Sequence, residues 1–241
     1  MIEQLDVEER PELKQPQGFQ LRFVSRDLPL ENLRFLYLEY STLRYHHLQS
    51  IVKACPWLES FRYSSIGDPA ESDAEDERIQ FSGRELCRAL RPLNATLKNL
   101  DVDLSRSGRS SMDKFMDDLT ENSALELICL DSYCLCDPYR VPVGLDIDNI
   151  LAKLLPKSIK SLSLNDIRYS LFPAASRLPD MVEGGFFPNL KYFYYSGLDG
   201  RLTGTEFREK FKRAGVRVRA GWVRGWGMAR VPSRTEIVKA S

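Results

Sequence analysis

Leu33-Arg34-Phe35-Leu36-Tyr37-Leu38 is the stretch that decides how this chain folds, because five later stretches repeat its grammar. They are Leu58-Glu59-Ser60-Phe61-Arg62-Tyr63, Leu97-Lys98-Asn99-Leu100-Asp101-Val102 and Leu125-Glu126-Leu127-Ile128-Cys129-Leu130, followed by Ile159-Lys160-Ser161-Leu162-Ser163-Leu164 and Leu190-Lys191-Tyr192-Phe193-Tyr194-Tyr195. Each reads apolar, charged, any, apolar, any, apolar. Side chains in a strand alternate between two faces, so apolar residues at positions four and six belong to one buried face. The phrase starts at 33, 58, 97, 125, 159 and 190, at intervals of 25, 39, 28, 34 and 31. A phrase returning every few dozen residues marks stacked units that bury a continuous core only together. The period is looser than in a regular solenoid, so the repeat is degenerate.

Punctuation agrees. Pro56, Pro156 and Pro188 precede the second, fifth and sixth phrases, and Pro29 lies ahead of the first. Proline stops a helix and pushes its neighbour toward extended backbone, which suits a helix-to-strand joint. Between phrases, helical spacing predicts helices through Leu43, His47, Leu48, Ile51 and Val52, and through Leu86, Leu90 and Leu93. It predicts others through Met112, Phe115, Met116 and Leu119, through Ile147, Ile150, Leu151, Leu154 and Leu155, and through Phe207, Phe211 and Ala214. Asp146 is the expected cap of the fourth; Thr203 or Thr205 opens the fifth and Gly215 ends it. Pro179 and Gly184-Gly185 should leave only a short, broken turn from Ser176 to Phe187. The pattern predicts an α/β fold: an open solenoid of six or seven parallel strands on the inner face, with helices on the outer face. Leu36, Leu38, Phe61, Tyr63, Leu100, Val102, Ile128, Leu130, Leu162, Leu164, Phe193 and Tyr195 should be buried.

At 241 residues the chain has room for one repeat domain, expected over 18–219. Residues 1–17, rich in Glu, Gln and Pro, are expected to be disordered or loosely packed. An acidic insertion at 68–78 accounts for much of the longest interval and reads as a solvated, mobile segment. The basic tail is 220–241. Net charge is zero, but eleven Lys/Arg against three Asp/Glu follow from Arg201 onward, leaving that end at +8 and the rest at −8. The five cysteines lack paired spacing, and no stretch resembles a signal peptide or a membrane span, which points to an intracellular protein with reduced thiols.

Chemistry is sparse. Cys129, Cys134 and Cys136 could join His46-His47 around a metal, but their spacing is not that of zinc ligands, and buried structural cysteine is the expected reading. The two histidines point about 100° apart on their helix, so one should pack and the other face water. Asp146 and Asp148 with Asp131 and Asp137 have no partnered base, and nucleotide-binding glycine loops and Gly-x-Ser-x-Gly are absent. No catalytic residue, metal or cofactor is expected. The end of the chain mixes Lys210, Lys212, Arg213, Arg217, Arg219, Arg224 and Arg230 with Trp222 and Trp226, as nucleic-acid binders do. The favoured alternative is a terminal cap, with Val216-Arg217-Val218-Arg219 as an edge strand protected by its arginines.

Cys55-Pro56-Trp57-Leu58-Glu59-Ser60-Phe61 and Phe187-Pro188-Asn189-Leu190-Lys191-Tyr192-Phe193 resemble leucine-rich repeat proteins, and the rhythm over about 28–219 resembles the irregular repeat region of fungal F-box proteins. That family joins an F-box, which binds the Skp1 adaptor of a ubiquitin ligase, to repeats that hold the substrate. The resemblance implies a leucine-rich-repeat-like solenoid acting in protein–protein interaction, with an F-box-type substrate adaptor as its specialisation. Two features depart from the pattern. The ninth position, usually Asn, is Ser41, Ile66, Ser105, Tyr133, Ile167 and Leu198 here. Leu28-Pro29-Leu30-Glu31 is similar to an F-box start but runs directly into the first phrase, so the F-box is expected to be missing or degenerate. The expected binding surface is the inner sheet face, carrying Phe35, Tyr37, Arg62, Asp101, Asp103, Asp131, Tyr192 and Tyr194, with aromatics at both ends and acids in the middle.

Overall fold

Every phrase begins a strand at its third residue. A computed structural model describes residues 4–7, 30–41, 43–65, 81–104, 115–136, 146–168, 170–197 and 205–220. The strands opened by the six phrases are β2 Phe35–Ser41, β3 Ser60–Ser65, β4 Asn99–Asp103, β5 Leu127–Asp131, β6 Ser161–Ile167 and β7 Tyr192–Gly197. Two more, β1 Gln4–Val7 and β8 Arg217–Ala220, lie at the edges of one eight-stranded sheet whose spatial order is the sequence order. All neighbours are parallel, and the third residues pair in one line: Phe35, Ser60, Asn99, Leu127, Ser161, Tyr192 and Arg217.

The joint repeats as faithfully as the strand. The phrase's first residue closes a turn, as in Leu58 N–H to Cys55 O, Leu125 N–H to Asn122 O and Leu190 N–H to Phe187 O. The carbonyl of the charged second residue then accepts both the second and third N–H of the next phrase. Arg34, Glu59, Lys98, Glu126 and Lys160 all do this, at 2.7–3.2 Å. Their side chains consequently stand side by side along the sheet rim. Glu59 lies 3.5 Å from Arg34 and accepts from Lys98 at 2.7 Å, and Glu126 accepts from Lys160 at 2.6 Å.

The helices are α1 Tyr45–Ala54, α2 Gly83–Leu90, α3 Ile150–Leu154, α4 Phe172–Glu183 and α5 Thr205–Arg213. The five described helices share one core on one side of the sheet, as right-handed connections between sequential parallel strands require. There the twelve residues at positions four and six are all buried, in one core with Leu48, Ile51, Leu86, Leu90, Leu151, Leu154, Leu178, Phe207 and Phe211. Ser82 caps α2 through a reciprocal capping box with Glu85. Gly215, at φ 75°, ends α5, and Val216 N–H returns to Phe211 O at 2.9 Å.

Several expectations are corrected. Within the segment expected to be disordered or loosely packed, Gln4–Val7 pairs with the edge of β2, which needs backbone groups and little side-chain pattern. The expected helix at Met112–Leu119 is not formed over 115–119: Met116 N–H bonds Cys134 O and Leu119 N–H bonds Leu154 O, so neighbouring segments satisfy the backbone. The segment expected to be a broken turn is α4, at twelve residues the longest helix among the described residues. An interior proline costs a helix about 3 kcal/mol, and burial of Ala174, Ala175, Leu178, Pro179 itself and Met181 offsets it. Asp146 does stand at the N-cap of the short turn Ile147–Asn149 that leads into α3, but its carboxylate holds the Asn149 and Lys153 side chains rather than a backbone N–H. Both histidines are exposed, with ring centroids 4.0 Å apart. The 68–78 insertion, Thr203, Trp222, Trp226, Arg224 and Arg230 lie outside the described residues.

Candidate interaction face

Because positions four and six point into the helical layer, positions three, five and seven point the other way. Two full rows cross that face in register from β2 to β8. One is the line of third residues; the other is Tyr37, Arg62, Asp101, Cys129, Ser163, Tyr194 and Arg219.

Arg62 organises the first half of the second row. Its Nε donates to Asp101 Oδ2 at 2.9 Å on β4, and its Nη1 donates to Glu39 Oε1 at 3.1 Å on β2. Its guanidinium carbon sits 5.2 Å from the centre of the Tyr37 ring. A planar fork of donors can bridge two carboxylates and stack on an aromatic at once, which an ammonium cannot. Burial pushes the Asp101 carboxyl above its ordinary range, against the pull of the Arg62 charge and a hydrogen bond with Cys129.

The middle of the face is low. Cys129, Ser163 and Asn165 are short, and Asn165 Nδ2 donates to Cys129 Sγ at 3.2 Å. Burial, then the Asp101 charge, pushes the Cys129 thiol up, while burial alone pushes Cys55 to about 11. Such thiols stay protonated at neutral pH and are poor nucleophiles. All five cysteines are buried, and none is in a disulfide. No cluster of His, Cys, Asp and Glu among the described residues could hold a metal.

Tyrosines and arginines fill the far end. The Tyr192 and Tyr194 rings stack at 6.4 Å and 14°, and Arg217 lies 6.0 Å from the centre of the Tyr192 ring. Phe35, at one end of the third-residue row, and Tyr192, next to Arg217 at the other, are 36% and 37% exposed.

Seven of the eight residues expected to bind a partner therefore stand on this face with some exposure: Phe35, Tyr37, Arg62, Asp101, Asp103, Tyr192 and Tyr194. Asp131 does not. It is only 3% exposed, and its Oδ1 accepts Cys134 N–H at 2.8 Å, capping the short turn Ser132–Cys134. Burial, then the neighbouring Asp103 carboxyl, holds Asp131 well above the ordinary carboxylate range. The alternation of the first phrase already places Glu39 on this face, but the expected binding surface did not include Arg217 and Arg219. The alternation after Val216 contained the signal for the arginines, since it continues the parity of Tyr192 and Tyr194.

Comparison of the chain with protein-family models, with curated proteins and with solved structures finds no match. Among the described residues, no helix is long and apolar enough to cross a membrane.

Proposed function

We propose that this chain is a non-catalytic protein–protein interaction module: a degenerate leucine-rich-repeat-like open solenoid that takes its partner on the sheet face opposite the helices. One observation carries the reading. The third- and fifth-position residues form two in-register rows across seven strands, with partly exposed aromatics at both ends and a braced guanidinium between. Aromatic and arginine side chains held rigid before binding lose little entropy on contact, which is why they dominate binding energies. Glu39, Asp101 and Asp103 disfavour a polyanion along this face, so a protein partner fits better than nucleic acid.

The test is affinity capture with the full chain and mass spectrometry, repeated with Tyr37, Tyr192 and Tyr194 changed to Ala. A partner lost by the triple variant, whose melting is unchanged, places binding on this face. A partner retained, or lost together with the fold, removes the reading. The narrower role of ubiquitin-ligase substrate adaptor rests on the repeat resemblance alone, and failure to co-purify with Skp1 would remove it.

A further inference from the structure

The face is electrically polarised along the sheet. Over β2–β4 it carries Glu39, Asp101 and Asp103 against Arg62, a surplus of two negative charges. Over β5–β7 its fifth-position residues are Cys129, Ser163 and Tyr194, none charged, and the Asp131 carboxyl is buried. Over β8 it carries Arg217 and Arg219, both exposed. From β4 to β8 is four strand spacings of about 4.8 Å, or about 19 Å, which an extended chain at about 3.3 Å per residue spans in five to seven residues.

We propose that the face recognises an extended peptide segment lying across the strands. It has a lysine or arginine over the Asp101–Asp103 end and an aspartate or glutamate over Arg217 and Arg219, five to seven residues apart. The inference rests on the interaction-face reading and adds the partner's charge order and spacing. The low floor at Cys129 and Ser163, between the braced Arg62 and the stacked tyrosines, gives the intervening residues room. A second copy turned by a two-fold axis would match the charges too, but its area is too small. Eight strands by five residues offer about 600 Å² per copy, short of the roughly 800 Å² per partner of a standard interface. A nucleic acid would match only the arginine end and meet repulsion at the opposite, acidic end.

A phage-displayed library of random 16-residue peptides, selected on the full chain at low ionic strength, tests this. The expected pool carries a basic and an acidic residue five to seven positions apart. The selected peptides should lose at least tenfold in affinity on the Arg217→Glu/Arg219→Glu variant and regain it when their own acids become lysine. Both arginines are exposed on an edge strand, and an unchanged melting curve keeps that comparison valid. Binders that need Tyr37, Tyr192 and Tyr194 but show no charge spacing would overturn the inference and leave the interaction face standing. Binders indifferent to both sets of changes would overturn both, and an empty selection counts against the inference. Salt-sensitive self-association, or oligonucleotide binding, abolished by the arginine reversal would instead assign the arginines to a second copy or to nucleic acid.

Discussion

Lys98 Nζ donates to Glu59 Oε2 at 2.7 Å, although 39 residues separate them in the chain. They meet because each is the charged second residue of its phrase, and the carbonyl of Glu59 anchors the phrase of Lys98. Arg34, Glu59, Lys98, Glu126 and Lys160 thus alternate in sign along the rim, the strand-to-strand form of favourable cross-strand pairing. The alternation stops at Lys191, which follows Lys160 with the same sign.

Glu59 contacts cations on both sides, so Glu59→Lys puts three positive charges in a row. Each pair is partly exposed and contributes well under 1 kcal/mol, so the reversal should cost only about 1 kcal/mol. The loss should shrink in 1 M salt and be partly recovered by adding Lys98→Glu. Urea unfolding at two salt concentrations measures it. A loss that ignores salt would mean the residues act through packing.

Arg62→Met removes the cation from between Asp101 and Glu39. Breaking a well-buried pair costs 3–5 kcal/mol; with both side chains still partly accessible, about 2–3 kcal/mol is expected. Losing the Arg62 charge raises the Asp101 carboxyl further, so the folded state binds its proton more tightly than the unfolded chain does. The loss should therefore grow as pH rises from 4 to 7 and fade toward pH 4. Adding Asp101→Asn should recover most of it, and a double-mutant cycle reads the coupling.

Asp131 carries the opposite promise. Its folded-state carboxyl titrates above the unfolded one, so the wild type loses stability as pH rises through the window between them. Asparagine keeps an oxygen for Cys134 N–H and offers the Asp103 carboxyl a donor. Asp131→Asn should match the wild type near pH 4 and exceed it at pH 7 by on the order of 1–3 kcal/mol, the scale of a buried polar group left unsatisfied. Melting temperatures across that range decide it; a variant less stable at every pH would show the carboxylate to be needed as such.

Gly197 sits at φ 100°, and a Cβ there would lie 2.6 Å from Ile167 N and 2.8 Å from Asp166 Cα. These are backbone atoms at the irregularity between β6 and β7, where Asp166 itself has φ 53°. Gly197→Ala should cost about 3 kcal/mol or more, combining left-handed strain with a clash that cannot relax. Gly185, at φ 78° with nothing within 4 Å of its would-be Cβ, is the control and should cost about 1 kcal/mol. Equal urea midpoints for the two variants would refute the crowding at Gly197.

The alternation in each phrase was enough by itself to determine the strands and their buried face, because a period of two leaves one consistent assignment once the apolar residues must be covered. The helices between phrases implied the parallel pairing. Leu36 through Tyr195 follow from the alternation. It also located Phe35, Tyr37, Tyr192 and Tyr194 on the opposite face. Only tertiary structure decided what depends on neighbours from other repeats. Asp131 turned from a surface candidate into a cap because its Oδ1 meets Cys134 N–H three residues on. The helical pattern at Phe115–Leu119 gave way to bonds with Cys134 and Leu154, and the proline-interrupted α4 persisted because its small face is buried. Arg62 gained its bracing from Glu39 and Asp101, 23 and 39 residues away. Local periodicity reports which way a side chain points; only register across strands reports what it meets.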